Sequence, residues 1–174
     1  MSNFCTLVDE YDRVIGQKDR AAVLPDDIYR VSAVWVLNGK GAVLLAQRKW
    51  NKKNDPGKWG PGASGTVEPN ETYDETMIRE MAEELGADGS ALRKREKLFV
   101  KRGSHGHTFF CQLYDIVIDW PIERFTIQTS EVETIRWFTV DEIRCMLADD
   151  PMQFTQNFAG AFETMASTLS PKPD

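Results

Sequence analysis

The chain has 174 residues, 41% hydrophobic and 28% charged, with a net charge of −6. That is the size and balance of one globular domain, and its acidity argues against general affinity for nucleic acid. No apolar run approaches the length that spans a membrane, and the start, MSNFCTLVDEYDR, lacks a basic-then-apolar leader pattern, so a cytoplasmic protein with no membrane partner is expected.

Residues 6–8 and 13–15 read as two short strands around the turn Asp9-Glu10-Tyr11-Asp12. Residues 31–37 and 42–47 are apolar strands joined by Asn38-Gly39-Lys40-Gly41, a strong hairpin signal. A basic loop with a Pro-Gly turn, RKWNKKNDPGK, occupies 48–58, and a Gly-rich extended stretch follows at 59–67. A helix is expected from the capping pair Thr72 and Glu75 to Gly86, with Met77, Ile78, Met81 and Leu85 as its buried stripe. Residues 97–101 and 108–118 read as a second strand pair, and 132–138 as another strand. Thr139 and Glu142 form a second capping pair, opening a helix to about residue 147. A last helix is expected from about 155 to 169, with Phe158, Phe162 and Met165 on one side. Residues 1–28 form a hairpin extension, 29–150 the body, and 151–174 a C-terminal helix and tail of the same domain. Interleaved strands and helices imply an α/β protein. The cysteines Cys5, Cys111 and Cys145 are far apart, form no metal-ligand pattern and read as free thiols.

The most informative stretch is Gly65 to Ala87, GTVEPNETYDETMIREMAEELGA. Glu80, Glu83 and Glu84 share a sector of the helix wheel roughly 100° wide, beside the apolar stripe. Such a cluster repels itself unless a cation sits in it, and oxygen donors of this kind suit Mg²⁺. Arg79 stands four residues before Glu83, within pairing distance. A short acidic run alone is most often a solvated face.

The longer spacing resembles the Nudix box, G-x5-E-x7-R-E-U-x-E-E-x-G-U, with U a bulky aliphatic. Gly65, Glu71, Arg79, Glu80, Glu83, Glu84 and Gly86 occupy its seven fixed positions. Chance agreement in one register has a probability on the order of 10⁻⁸. Ala87 departs from the final aliphatic, which is a packing position. The resemblance implies an α/β/α sandwich with a mixed β-sheet, carrying here an N-terminal β-hairpin extension. It implies a hydrolase that cleaves a diphosphate linkage by attack of water on phosphorus, with Mg²⁺ or Mn²⁺ as cofactor. The implied metal ligands are Glu80, Glu83 and Glu84, helped by the Gly65 backbone. Arg79 and Glu71 are implied as orienting partners, and Glu80 or a distant carboxylate, Glu131 or Glu133, as the proton acceptor. The implied partner is a small-molecule diphosphate, the protein being a monomer or homodimer.

Outside the box, Leu7-Val8-Asp9-Glu10, Leu44 to Arg48 and Asp55-Pro56-Gly57-Lys58-Trp59 resemble the isopentenyl-diphosphate-isomerase-like branch of that superfamily. Isomerases carry a cysteine and a histidine just before their box; here Gly60 to Thr66 has neither, so the branch resemblance implies a hydrolase, with an isomerase-like enzyme or a non-catalytic Nudix ligand sensor as the alternatives. Arg48 is the loop cation expected to hold phosphate. Trp50 or Trp59 is a candidate for stacking on a base, with packing the blander reading. His105 and His107, at a strand junction, are candidate substrate contacts, and Trp137 reads as core.

Overall fold

The computed structural model describes residues 3–101 and 106–169; His105 lies outside them. Strands β1 (Phe4–Val8) and β2 (Val14–Asp19) form the N-terminal hairpin. There follow β3 (Ile28–Leu37), β4 (Val43–Arg48), β5 (Trp59–Gly60), β6 (Ala63–Thr66) and helix α1 (Tyr73–Leu85). Then come β7 (Arg93–Val100), β8 (Thr108–Val117), β9 (Val132–Phe138), α2 (Val140–Asp149) and α3 (Phe158–Leu169).

Among the described residues, nine strands join one mixed sheet. Its spine is β3, which runs parallel to β8 along its whole length and antiparallel to β1, β6 and β4 in turn on its other edge. Strand side chains alternate between faces. Val34 and Val36 of β3, with Leu44 and Ala46 of β4, join Met77, Met81 and Leu85 of α1 in one core. The intervening Trp35, Leu37, Val43 and Leu45 face Ile143 of α2 and Phe158 and Phe162 of α3 in the other. Both sheet faces are therefore covered, which is why β3 and β4 read as continuous apolar runs. The result is an α/β/α sandwich.

Helix α1 begins and ends on its sequence signals. Thr72 and Glu75 make both bonds of a capping box, and Gly86 leaves in the left-handed region at φ 63°. The buried arc differs from the expected one. Ile78 is 44% exposed, whereas Thr76 and Glu80 are buried. The helix is rolled so that Glu80, rather than Ile78, faces the sheet at β6.

Boundaries also differ: β2 runs on to Asp19 and β3 starts at Ile28, both beyond the expected stretches. Strand β7 starts at Arg93, not 97, because its first residues are charged and exposed and carry no apolar signal. Helix α2 continues to Asp149. Helix α3 starts at Phe158, because Phe154 bridges to Trp59 and Asn157 takes a φ of 66°, breaking the helix upstream.

Candidate active site

Arg79 organises the acidic residues of α1. Its Nε and Nη2 donate to the two oxygens of Glu71 at 2.8 and 3.0 Å, a bidentate pair. Its Nη1 donates to Glu80 at 2.7 Å and to Glu83 at 3.3 Å. Thr76 Oγ1 adds a bond to Glu71 at 2.8 Å. The Arg79 guanidinium, aided by Thr76, holds the Glu71 carboxyl down at about 2 against its burial.

Glu80 and Glu84 shift in the direction opposite to Glu71. Burial raises both, and their mutual repulsion raises Glu84 further, to about 8, against a bond from the Ser64 N–H at 3.1 Å. Glu80 lies directly on β6. A Cβ at Gly65 would stand 2.1 Å from its Oε1, so no larger residue fits there without moving that carboxylate.

These two carboxylates line a cleft of about 500 Å³ at the end of the sheet. It opens into a second lobe of about 240 Å³, with Arg48, Ser64, Glu84, His107 and Glu131 common to both. Of the residues singled out in the sequence, Gly65, Glu80, Glu84, Arg48, His107 and Glu131 meet at this cleft. Arg79 and Glu83 stand beside it, joined to Glu80 through the Arg79 guanidinium. Arg48 Nε donates to the Asn54 carbonyl at 3.1 Å. Glu131 is ion-paired with Lys52, and Glu133, away from the cleft lining, with Lys49 at 3.0 Å. His107 packs edge-on to Tyr29 at 6.0 Å, with its Nδ1 buried and unpaired.

The tryptophans do not line the cleft. Trp50 covers the Pro56-Gly57 turn, so close that a Cβ at Gly57 would overlap its ring. Trp59 packs edge-on to Phe138 in the second core.

The structure also brings in residues that carry no signal in the sequence. Tyr29 and Phe109, 5.7 Å apart, wall the cleft from adjacent strands β3 and β8. Arg20, in the turn of 3₁₀ helix after β2, reaches it from the N-terminal hairpin, donating to the Thr66 carbonyl at 3.3 Å. No local pattern marks these residues. Only the pairing of β1 with β3 brings Arg20 to the box.

Among the described residues no three Asp, Glu, His or Cys groups converge as a ready set of metal ligands. Arg79 draws Glu71, Glu80 and Glu83 to itself instead. The donor chemistry fits a hard divalent ion all the same. Glu80 and Glu84 are neighbouring oxygen donors whose burial and repulsion a cation would relieve, and Gly65 keeps the backbone close to Glu80.

Residues 28–158 match the family model described as the NUDIX domain. The chain belongs to the Nudix family. An uncharacterized Nudix hydrolase of Pseudomonas aeruginosa is 30% identical over 130 residues, 74% of this chain and 76% of that one. The crystal structure of a Deinococcus radiodurans protein superposes with a TM-score of 0.72 at 24% identity, covering 84% of this chain and 89% of that one. An isopentenyl-diphosphate Δ-isomerase of Saccharopolyspora erythraea is 34% identical over 82 residues, 46% of this chain and 42% of its own. This last match is too partial to assign the isomerase-like branch. The chain is thus a Nudix hydrolase, of a family acting on phosphoric anhydride bonds. Among the described residues no helix is long and apolar enough to cross a membrane.

Proposed function

We propose that this Nudix protein is a Mg²⁺-dependent pyrophosphohydrolase that cleaves the diphosphate linkage of a small organic diphosphate by attack of water on phosphorus. The observation that carries this reading is the Glu80–Glu84 pair, Glu80 buried and Glu84 partly buried, in one cleft lining with Arg48 at the end of β4. Two carboxylates removed from bulk water, with Arg48, Lys52 and Lys53 in the same lining, serve little structural purpose without a cation between protein and ligand.

In this reading Glu80, Glu83 and Glu84, with the Gly65 backbone, hold the ion. When bound, it offsets phosphoryl charge and makes water a better nucleophile. Arg79 anchors Glu80 and Glu83, and Glu71 in turn fixes Arg79. Arg48 holds a phosphate from the loop side. Glu131, in the same cleft lining and outside the Arg79 network, accepts the proton of the attacking water. His107 contacts the group beyond the diphosphate, which the loops rather than the box select. The segment Gly60–Thr66 places neither cysteine nor histidine against the box, so isomerase chemistry lacks its groups here.

A panel of nucleoside triphosphates, nucleotide sugars, ADP-ribose, dinucleoside polyphosphates and isoprenoid diphosphates, with Mg²⁺ or Mn²⁺, tests the reading by released phosphate. At least one compound is expected to turn over. Glu84→Gln should then lose about 100-fold or more of that activity while melting no lower than wild type, since it removes a carboxylate repelled by Glu80. Activity surviving in Glu84→Gln would refute the assignment.

A further inference from the structure

The loop after β4 is zipped to the start of β9. The Lys49 N–H donates to the Glu131 carbonyl at 2.9 Å, Lys49 pairs with Glu133, and Lys52 pairs with Glu131. The two ion pairs differ in place. Lys52 and Glu131 line the cleft, about one-quarter exposed at 26% and 25%, whereas Lys49 and Glu133 do not line it.

The partners also differ in how they are held. Glu131 sits on a turn whose Gln128 carbonyl accepts from both the Glu131 and Val132 N–H groups at 2.9 Å. That turn is fastened to the end of α1, where Thr126 and Gln128 N–H donate to the Leu85 and Glu84 carbonyls at 3.0 and 3.2 Å. Gly86 permits the approach: a Cβ there would lie 2.9 Å from Thr126 Cβ. The backbone beneath Glu131 is thus part of the box helix's own frame. Lys52 reaches it on a four-carbon stem with freely turning donors, from a surface loop. Lys52 is the end that can change partner.

A diphosphate entering the cleft brings more negative charge to Lys52 than one carboxylate does. We propose that Lys52 and Glu131 form an exchangeable pair: in the free protein Lys52 neutralises Glu131, and substrate phosphate takes Lys52 over, leaving Glu131 free to accept a proton. This rests on the hydrolase reading above. No covalent bond changes in the exchange. Lys52 thereby couples occupancy of the cleft to exposure of its base.

The test pairs kinetics on a compound from the panel with calorimetric binding of imidodiphosphate, whose bridging nitrogen resists hydrolysis. Lys52→Met should raise KM about tenfold with kcat within about threefold, and Lys52→Arg should restore KM. Glu131→Gln should lower kcat yet bind imidodiphosphate severalfold tighter, because Lys52 no longer has a competing partner. Lys49→Met should change neither quantity. A fall in kcat at unchanged KM for Lys52→Met, or no tightening in Glu131→Gln, would overturn the exchange and leave Lys52 as a static support. If no compound is hydrolysed, the hydrolase reading fails by itself, and imidodiphosphate binding still decides the exchange.

Discussion

Glu80 and Glu84 show how a single contact decides what a residue can do. Their neighbour Glu83 has the same side chain on the same helix, yet it lies outside the cleft lining. The difference lies in what packs against each. Gly65 presses on Glu80, and Ser64 N–H reaches Glu84. Gly65→Ala should therefore displace Glu80 and weaken Mg²⁺ binding by about tenfold or more with a modest change in Tm, measured by calorimetry and melting. Glu84 also makes the metal-free protein sensitive to pH. Its carboxyl rises from 4.5 to about 8 on folding, so its protonated form favours the fold. That stability is fully present below about pH 4.5 and is lost as pH rises through about 8. Chelated protein should melt lower at pH 8 than at pH 6, Mg²⁺ should reverse the drop, and Glu84→Gln should abolish both effects.

At the scale of elements, α1 is set by its two ends. The Thr72 hydroxyl accepts from Glu75 N–H at 3.2 Å, while the Glu75 carboxylate accepts from Thr72 N–H at 2.8 Å. Thr72→Ala should cost about 1 kcal/mol and lower Tm by roughly 2–4 °C, with activity kept, because the cap lies away from the cleft. At the other end Gly86 has two duties. A side chain there meets the left-handed backbone penalty of about 1–2 kcal/mol and also pushes on Thr126. Gly86→Ala should thus destabilise the fold and, by moving the turn that carries Glu131, lower kcat as well. A variant that loses stability but keeps kcat would show that the turn is positioned independently of the helix end.

Across the whole molecule, the hairpin is tied to the body through Asp12. Its carboxylate accepts from Arg30 Nε at 2.7 Å, from the Tyr73 hydroxyl at 3.0 Å, and from Lys97, joining β3, α1 and β7 at one point. Asp12 holds a φ of 63°, a conformation that aspartate tolerates better than most residues. Asp12→Ala should cost about 2–4 kcal/mol in urea unfolding, since Arg30 is left half-buried without its carboxylate. Acid acts through Glu71. Its carboxyl falls from 4.5 to about 2 on folding, so the stability from its Arg79 pair is present above about pH 4.5 and is lost as pH falls toward 2. Arg79→Lys, which loses the bidentate geometry, should flatten that acid limb in a melting series.

What the amino-acid order determined alone is what local physics writes: the capping boxes at Thr72 and Thr139, the left-handed exit at Gly86, the continuous apolar strands β3 and β4, and the spacing of the Nudix box. Each depends on residues a few positions apart, so each is legible without a fold. Only the tertiary structure decided the rest. Ile78 and Glu80 exchange exposure because the roll of α1 is set by β6. Trp50 and Trp59 are spent on a turn and a core. Arg20, Tyr29 and Glu131 reach one cleft from a 3₁₀ turn, a strand and a loop turn far apart in sequence. Those placements follow from sheet pairing and the close approach at Gly65 and Gly86, long-range contacts that leave no periodic mark on the chain.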